Sequence, residues 1–121
     1  MNDLESVLIY GRDIKLLDTR SRVLQRAGFE VHVTQDLSST KLFLGERASD
    51  LLIVCHTLPQ DEQESAKVIA QTARPVTKIL VMTTEAPNPN ENDSLAYISV
   101  LTGPIGLIDK VKEILDLSLP A

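Results

Sequence analysis

The chain's one cysteine, Cys55, is followed directly by one of its two histidines, His56, and both come after the apolar run 51–54. A cysteine thiolate is a nucleophile and a redox centre, and a nearby cation such as Arg12 would lower the pKa of the thiol. The sequence has no second cysteine to resolve an oxidised one. Adjacent residues at a strand end point in opposite directions, so Cys55 and His56 have poor geometry for base catalysis. We therefore interpret Cys55 as a buried, space-filling residue and keep redox sensing or thiol reactivity as the alternative.

Motifs for the common catalytic and cofactor sites are missing from the sequence. The Cys, His, Asp and Glu residues have no spacing typical of zinc ligands. The five glycines form neither a Walker loop nor a dinucleotide-binding fingerprint. We therefore expect no metal, no cofactor and no enzymatic activity.

The composition and net charge bear on nucleic-acid binding, on the number of domains and on cellular location. The net charge of −5 repels phosphate backbones, and two Phe, two Tyr and no Trp leave few rings for base stacking, so we expect no nucleic-acid binding. The 121 residues, 43% hydrophobic and 24% charged, are typical of a single globular domain, spanning 1–121. Short apolar runs, a start unlike a signal peptide and a single cysteine predict a cytoplasmic protein without membrane association.

Five short apolar runs predict strands that are buried on both faces of a sheet. They occupy residues 7–10, 31–33, 51–54, 79–82 and 97–101. With helical patterns between them, right-handed crossovers give an α/β three-layer sandwich with a five-stranded parallel sheet in the order 2-1-3-4-5, a flavodoxin-like topology. In this topology the functional crevice lies at the carboxyl ends of strands 1 and 3.

The helices have predicted caps and buried faces. The predicted N-caps are Asp13, either Asp36 or Ser38, and Asp61, and Gly28 is the predicted end of the first helix. The residues predicted to face the core are Ile14, Leu17, Leu24 and Ala27; Leu37, Thr40 and Leu44; Ala66, Ile69 and Ala73; and, in a last helix that begins near Pro104, Leu107, Ile108, Val111, Ile114 and Leu115.

Segment 83–96 departs from this pattern, because it contains two prolines and three asparagines and has almost no apolar face. Proline is excluded from helix interiors. We predict a loop with at most one helical turn at 93–96, so that the helix between strands 4 and 5 is shortened or missing.

Nearly the whole chain, from about residue 5 to residue 117, resembles the receiver domain of bacterial two-component response regulators. The resemblance rests on the order and spacing of VLIY in strand 1, AGFEV before strand 2, DLLIVCHTLP around strand 3, KILVMTT around strand 4 and Gly103-Pro104 after strand 5. It implies a receiver-like fold and a role in phosphorelay signal transduction.

The residues that carry aspartyl phosphorylation in receivers are replaced at most of the matching positions. The acidic pair after strand 1 matches Gly11 and Arg12, the phosphoacceptor aspartate matches Cys55, and the clamping lysine matches Gly103. Thr83 alone keeps the type of residue found in the family. The reaction needs a carboxylate nucleophile and a divalent cation on hard oxygen ligands, so we predict a pseudo-receiver that is not phosphorylated.

The vestigial phosphoacceptor pocket is predicted to consist of Gly11, Arg12, Asp13, Cys55, Thr57, Thr83 and Gly103. Asp13 is interpreted as a helix cap rather than a metal ligand. The aromatic switch position of receivers falls at Val100, and Tyr97 reaches it only if the alignment is shifted.

Basic residues are concentrated in segment 12–26, which has a net charge of +3 while the remainder of the chain has −8. Lys15, Arg20, Arg22 and Arg26 form a candidate partner surface, with a solvated helix face as the alternative. The resemblance implies a protein partner such as a kinase, a phosphotransfer protein or an output protein, and a homodimer through the face of strand 5 and the last helix. We therefore predict a signalling module that acts through protein–protein interaction.

Overall fold

The structure is a computed structural model that describes residues 5–47, 49–73, 77–84 and 95–116. Its strands are β1 (Ser6–Tyr10), β2 (Glu30–Thr34), β3 (Leu51–Val54), β4 (Lys78–Thr83) and β5 (Leu95–Ser99). They form one parallel sheet in the order β2-β1-β3-β4-β5, which confirms the predicted topology.

Four α-helices lie among the described residues and cover both faces of the sheet. They are α1 (Ile14–Arg26), α2 (Leu37–Glu46), α3 (Gln60–Thr72) and α4 (Gly103–Asp116). None of these described helices has the length and hydrophobicity needed to cross a lipid bilayer.

The core is divided by the sheet into two apolar clusters, and β1 shows the division residue by residue. Val7 and Ile9 pack into the cluster that also holds the inner faces of α1 and α4. Leu8 and Tyr10 pack into the other cluster, with α2 and α3. Because all four side chains are fully buried, the prediction of a strand buried on both faces is confirmed here.

The helix termini follow the predicted capping chemistry in α1 and α2. Asp13 accepts hydrogen bonds through Oδ1 from the backbone N–H groups of residues 15 and 16, at 3.0 and 3.2 Å. Asp36, rather than Ser38, caps α2 by accepting from the Ser39 N–H at 2.7 Å. Gly28 ends the turn after α1 with a φ of 101°, a conformation that favours glycine.

Asp61 does not cap α3, and this prediction is wrong. The helix begins one residue earlier, at Gln60, and Pro59 holds the cap position without a side-chain hydrogen bond. A proline just before the helix already fixes the backbone for helix entry. Asp61 lies in the first turn, where its negative charge complements the helix dipole.

The residues predicted to face the core from the helices do so, except Ile14 at the start of α1 and Ala73 after the end of α3. Ile14, the first residue of α1, is 66% exposed. In α3, Ala70 is fully buried together with Ala66, whereas Ala73 is only half-buried at the helix end.

The last strand differs from its predicted position by two residues. Strand β5 pairs with β4 from Leu95 to Ser99, and Val100–Thr102 form a 3₁₀ turn in which the Ser99 side chain accepts from the Leu101 N–H. A helical turn at residues 95 and 96 is therefore wrong. Residues 85–94, on which the predicted loop and the shortened helix rest, lie outside the described residues.

Candidate functional site

The carboxyl ends of β1 and β3 bring Gly11 and Cys55 together, as the topology predicts. The Cys55 N–H donates to the carbonyl of Tyr10 at 3.0 Å, which continues the ladder between these strands. A Cβ atom placed on Gly11 would lie 3.0 Å from the Cys55 Cβ, 3.1 Å from its Sγ and 3.2 Å from Leu17 Cδ2. The space in front of strand 1 is therefore already filled by the Cys55 and Leu17 side chains.

The Cys55 thiol is 1% exposed and belongs to the core cluster beneath α1 and α4. Burial raises its pKa, and the guanidinium of Arg20 offsets part of this rise. The expectation that Arg12 acts on the thiol is wrong, because Arg12 points away toward α3. A buried thiol with a raised pKa is a poor nucleophile and a poor redox sensor, which supports the space-filling interpretation.

Arg12 forms an ion pair with Glu62 of α3, whose carboxylate also accepts from the Tyr10 hydroxyl at 2.6 Å. The hydrogen bonds from Arg12 and Tyr10 hold the pKa of Glu62 below its usual range. Burial and the Glu62 carboxylate raise the pKa of Tyr10. The backbone N–H of Arg12 donates to Thr57 Oγ1 at 3.1 Å, so Thr57 belongs to the same hydrogen-bonded group as Tyr10, Arg12 and Glu62. These contacts tie the β1 and β3 turns to α3.

The remaining residues that were predicted to form the vestigial phosphoacceptor pocket lie at the ends of helices and strands. Asp13 is the α1 cap. Thr83 ends β4 opposite Ser99 and is half-buried. Gly103 opens α4 with a φ of 84°, a conformation that would strain a lysine at this position.

The site does not fit magnesium. Gly11 offers no side chain, Arg12 contributes a positive charge that is paired with Glu62, and Cys55 presents a buried thiol in place of a hard oxygen ligand. Within the described parts of the chain, no three His, Cys, Asp or Glu residues are grouped as metal ligands would be.

Arg20 is the residue whose placement the sequence interpretation missed. Lys15, Arg22 and Arg26 are exposed, whereas Arg20 is half-buried and its charge acts on both Cys55 and His56. Arg20 is therefore less accessible to a partner than the other three residues of the predicted partner surface. Its spacing could have revealed this, because a residue three positions after Leu17, which is buried, lies on the same helix face.

Two buried nitrogen atoms in this region have no hydrogen-bond partner among the described residues: Nη1 of Arg20 and Nδ1 of His56. Burial, followed by the neighbouring Arg20 charge, lowers the pKa of His56. The Arg20 guanidinium thus lies near both the Cys55 thiol and the His56 imidazole.

The two candidate positions for the aromatic switch of receivers, Tyr97 and Val100, lie in different elements. Tyr97 lies in β5, and Lys67 of α3 contacts it, with Nζ 3.4 Å from the hydroxyl and 5.6 Å from the ring centre. Lys67 also pairs with Glu64 at 3.2 Å. Val100 lies in the 3₁₀ turn and packs against the core.

No family model matches the sequence, and no curated protein matches it either. Solved structures do match. The chemotaxis protein CheY4 of Vibrio cholerae is 22% identical with a TM-score of 0.77, covering 93% of this chain and 99% of that one. A CheY-like response regulator receiver domain protein from Methanospirillum hungatei is 26% identical with a TM-score of 0.75, covering 95% and 96%.

A third match is the signal receiver domain of an HD domain-containing protein from Pseudomonas fluorescens, which is 19% identical with a TM-score of 0.79 and covers 95% of this chain and 97% of that one. The chain therefore has the fold of the receiver domains of response regulators, and this fold accounts for nearly its whole length. The predicted fold class and resemblance are confirmed.

Proposed function

We propose that this chain is a receiver-like signalling module that acts without aspartyl phosphorylation, by contact with a protein partner. The observation that carries the proposal is the packing at the end of β3. Cys55 stands at the position that matches the receivers' phosphoacceptor, is 1% exposed, and would touch any side chain added at Gly11.

The two ligand positions of the family's cation site support the same conclusion. A carboxylate at position 11 would have to displace Cys55 or Leu17. A carboxylate at position 12 would lose the ion pair with Glu62 and leave Glu62 bound only to the Tyr10 hydroxyl. The chain therefore uses these positions to stabilise one arrangement of the turns. In this proposal it is not an enzyme, and it works in the cytoplasm of a bacterial cell, where a single free cysteine suits the reducing conditions.

The candidate partner surface consists of the exposed basic residues Lys15, Arg22 and Arg26 on α1. Arg22 pairs with Asp18 at 3.3 Å, but both side chains are more than half exposed, so this pair leaves the positive charge accessible. Such a face fits an acidic surface on a kinase, a phosphotransfer protein, an output protein or a second copy of the chain. Charged faces of this kind set the rate and salt dependence of association.

The partner contact is tested by capture experiments with a variant that carries Lys15→Ala, Arg22→Ala and Arg26→Ala. A control variant carries Lys41→Ala and Lys112→Ala, which remove two exposed charges from α2 and α4. We expect the first variant to lose the captured protein while its melting curve stays that of the wild type. Equal capture by both variants would remove α1 as the partner surface.

A further inference from the structure

A cavity of about 290 Å³, open to solvent, lies against α3 at the carboxyl ends of β3 and β4. Helix α3 contributes four polar side chains to its wall, those of Gln60, Gln63, Glu64 and Lys67. This volume is that of about ten molecules of liquid water and is close to the lower limit of ordinary ligand pockets. In open α/β sheets, ligands bind at the carboxyl ends of the strands. The position and the size of the cavity therefore suit a small ligand.

The cavity is separate from the junction of Gly11 and Cys55. Neither of these residues lines it, and Cys55 packs in the core cluster beneath α1 and α4, on the other face of the sheet. Val81 and Tyr97 line the cavity and belong to the cluster beneath α2 and α3. Thr83 is the one residue that the cavity shares with the predicted vestigial phosphoacceptor pocket. A ligand in this cavity would therefore not occupy the position of the receivers' phosphoacceptor.

The ammonium group of Lys67 lies at the wall of the cavity. Its Nζ atom donates to Glu64 Oε1 at 3.2 Å and to the Tyr97 hydroxyl at 3.4 Å, and both acceptors belong to residues that line the cavity. Burial lowers the pKa of Lys67, but the hydrogen bonds with Glu64 and Tyr97 outweigh this effect and raise the pKa overall. An ammonium has three N–H groups. One N–H of Lys67 is therefore left without an acceptor among the described residues.

The charges around the cavity cancel. Of the described residues that line it, only Lys67 and Glu64 are charged at neutral pH, because burial lowers the pKa of His56. An anion in the cavity would be repelled by the Glu64 carboxylate, and a cation would be repelled by the Lys67 ammonium. The pair therefore favours an uncharged ligand.

The wall of the cavity offers both donors and acceptors of hydrogen bonds. Oε2 of Glu64 makes no hydrogen bond with a described residue. Gln63 donates through Nε2 to the Leu58 carbonyl at 2.8 Å, so its Oε1 is left to accept. The exposed side chains of Gln60 and Thr84 each add a donor and an acceptor. A hydroxyl group donates and accepts at the same time, so a ligand with several hydroxyl groups matches this wall.

We propose that this cavity binds a small uncharged cyclic polyol or monosaccharide, whose hydroxyl groups form hydrogen bonds with Lys67, Glu64 and Gln63. Its ring carbon atoms would pack against Val81 and Met82, which are buried and line the same cavity. A free inorganic phosphate fits less well, because the Glu64 carboxylate repels it and cannot donate to it.

Occupation of the cavity would give the module an input other than phosphorylation, and only this consequence rests on the proposed function. Binding is measured without a partner and without a phosphoryl donor, so the two proposals fail separately. If the chain binds the polyol and is also phosphorylated, the proposed function fails while the site stands. If the chain neither binds nor is phosphorylated, only the site fails.

The site is tested with myo-inositol and D-glucose as probes, followed by the amide chemical shifts of the ¹⁵N-labelled chain. We expect shifts at residues 60–67, 81–84 and 97 that saturate at millimolar concentration. Cyclohexanol keeps the carbon ring of myo-inositol but has a single hydroxyl group, so it should bind at least about 10-fold more weakly. Absence of saturable binding by both probes, or equal binding by cyclohexanol or by inorganic phosphate, would overturn the proposal.

Two variants separate Lys67 from general charge effects. Lys67→Met keeps most of the hydrocarbon part of the side chain and should weaken myo-inositol binding by at least about 10-fold, because the charged donor is lost. Lys112→Met removes an exposed charge from α4, on the other face of the sheet, and should leave binding unchanged. Unaltered binding by Lys67→Met would overturn the role of Lys67. The comparison of myo-inositol with cyclohexanol on the wild-type chain decides the question even if Lys67→Met does not fold.

Discussion

The packing of Gly11 against Cys55 can be tested by adding one methyl group. In Gly11→Ala the new Cβ would lie 3.0 Å from the Cys55 Cβ and 3.2 Å from Leu17 Cδ2, closer than ordinary van der Waals contact. The Leu17 side chain can rotate. The Cys55 Cβ cannot shift without its strand, because the Cys55 N–H is bonded to the Tyr10 carbonyl at 3.0 Å. The substitution should therefore strain the junction of β1 and β3.

The net change in the free energy of unfolding combines two opposing effects. Overpacking of a filled core costs about 1 to 3 kcal/mol. Replacing glycine by alanine at a position without positive φ, as here, returns about 0.4 to 1 kcal/mol by restricting the unfolded chain. Taking the middle of each range, about 2 kcal/mol against about 0.7 kcal/mol, we expect Gly11→Ala to lower the free energy of unfolding by about 1.3 kcal/mol.

The assay is urea unfolding followed by circular dichroism, since the chain has no tryptophan. Gly45→Ala is the matched control. Gly45 lies within α2 with no atom within 4 Å of an added Cβ, so this variant should be about 0.5 to 1 kcal/mol more stable than the wild type. If Gly11→Ala is as stable as the wild type while Gly45→Ala behaves as expected, the claim that Cys55 fills the site is wrong.

Three further predictions concern the groups around this junction. Tyr10→Phe removes the hydroxyl that donates to Glu62 at 2.6 Å and should cost about 0.5 to 1.5 kcal/mol in urea unfolding; an unchanged midpoint would show that this bond does not stabilise the fold. The pKa of Glu62 is lowered in the folded chain, so its contribution to stability is present above the ordinary pKa of 4.5 and is lost as the pH falls through the lowered pKa. Glu62→Gln should lack this acid-dependent loss, and identical pH profiles of urea midpoints would contradict the pairing. Native Cys55 should react with iodoacetamide far more slowly than in the urea-unfolded chain at the same pH, because it is buried and its pKa is raised; equal rates would restore thiol chemistry as the function.

Much of the fold was predictable because strands buried on both faces leave a strong pattern in the sequence. The runs 7–10 and 51–54 are apolar at every position, and each lies within a strand of the structure. The chain order of strands and helices then restricts the topology to few choices. The meeting of Gly11 and Cys55 followed from topology alone, since parallel strands end at the same edge of the sheet.

Contacts between distant parts of the chain were not predictable in the same way. Arg12 pairs with Glu62, fifty residues further on, and no local pattern specifies that choice. The end of β5 was predicted two residues late because Val100 and Leu101 continue the apolar run. In the structure both residues belong to the 3₁₀ turn, in which the Leu101 N–H donates to the Ser99 side chain. Hydrophobicity alone does not distinguish a last strand residue from the turn that follows it.

Arg20 shows a third kind of difference between the sequence prediction and the structure. The charge count of segment 12–26 treated its basic residues as equivalent, whereas the helical period places Arg20 on the inner side with Leu17 and Leu24. Spacing along the helix could have separated it from Arg22 and Arg26. The sequence could not have shown the apolar cavity that lies between α1 and the start of α4, beside Arg20, because residues of α4 and β5 form part of its lining.

The most direct test of the central claim is the intact mass of the chain after incubation with acetyl phosphate and magnesium, measured beside Cys55→Ala. We predict no phosphoryl adduct on either protein, because the site has no carboxylate at the position of the acceptor and no ligand set for magnesium. An adduct that is lost in Cys55→Ala would show that the buried thiol is a phosphoacceptor after all. An adduct that persists in the variant would contradict the account as a whole, since it would mean that a residue elsewhere performs the reaction.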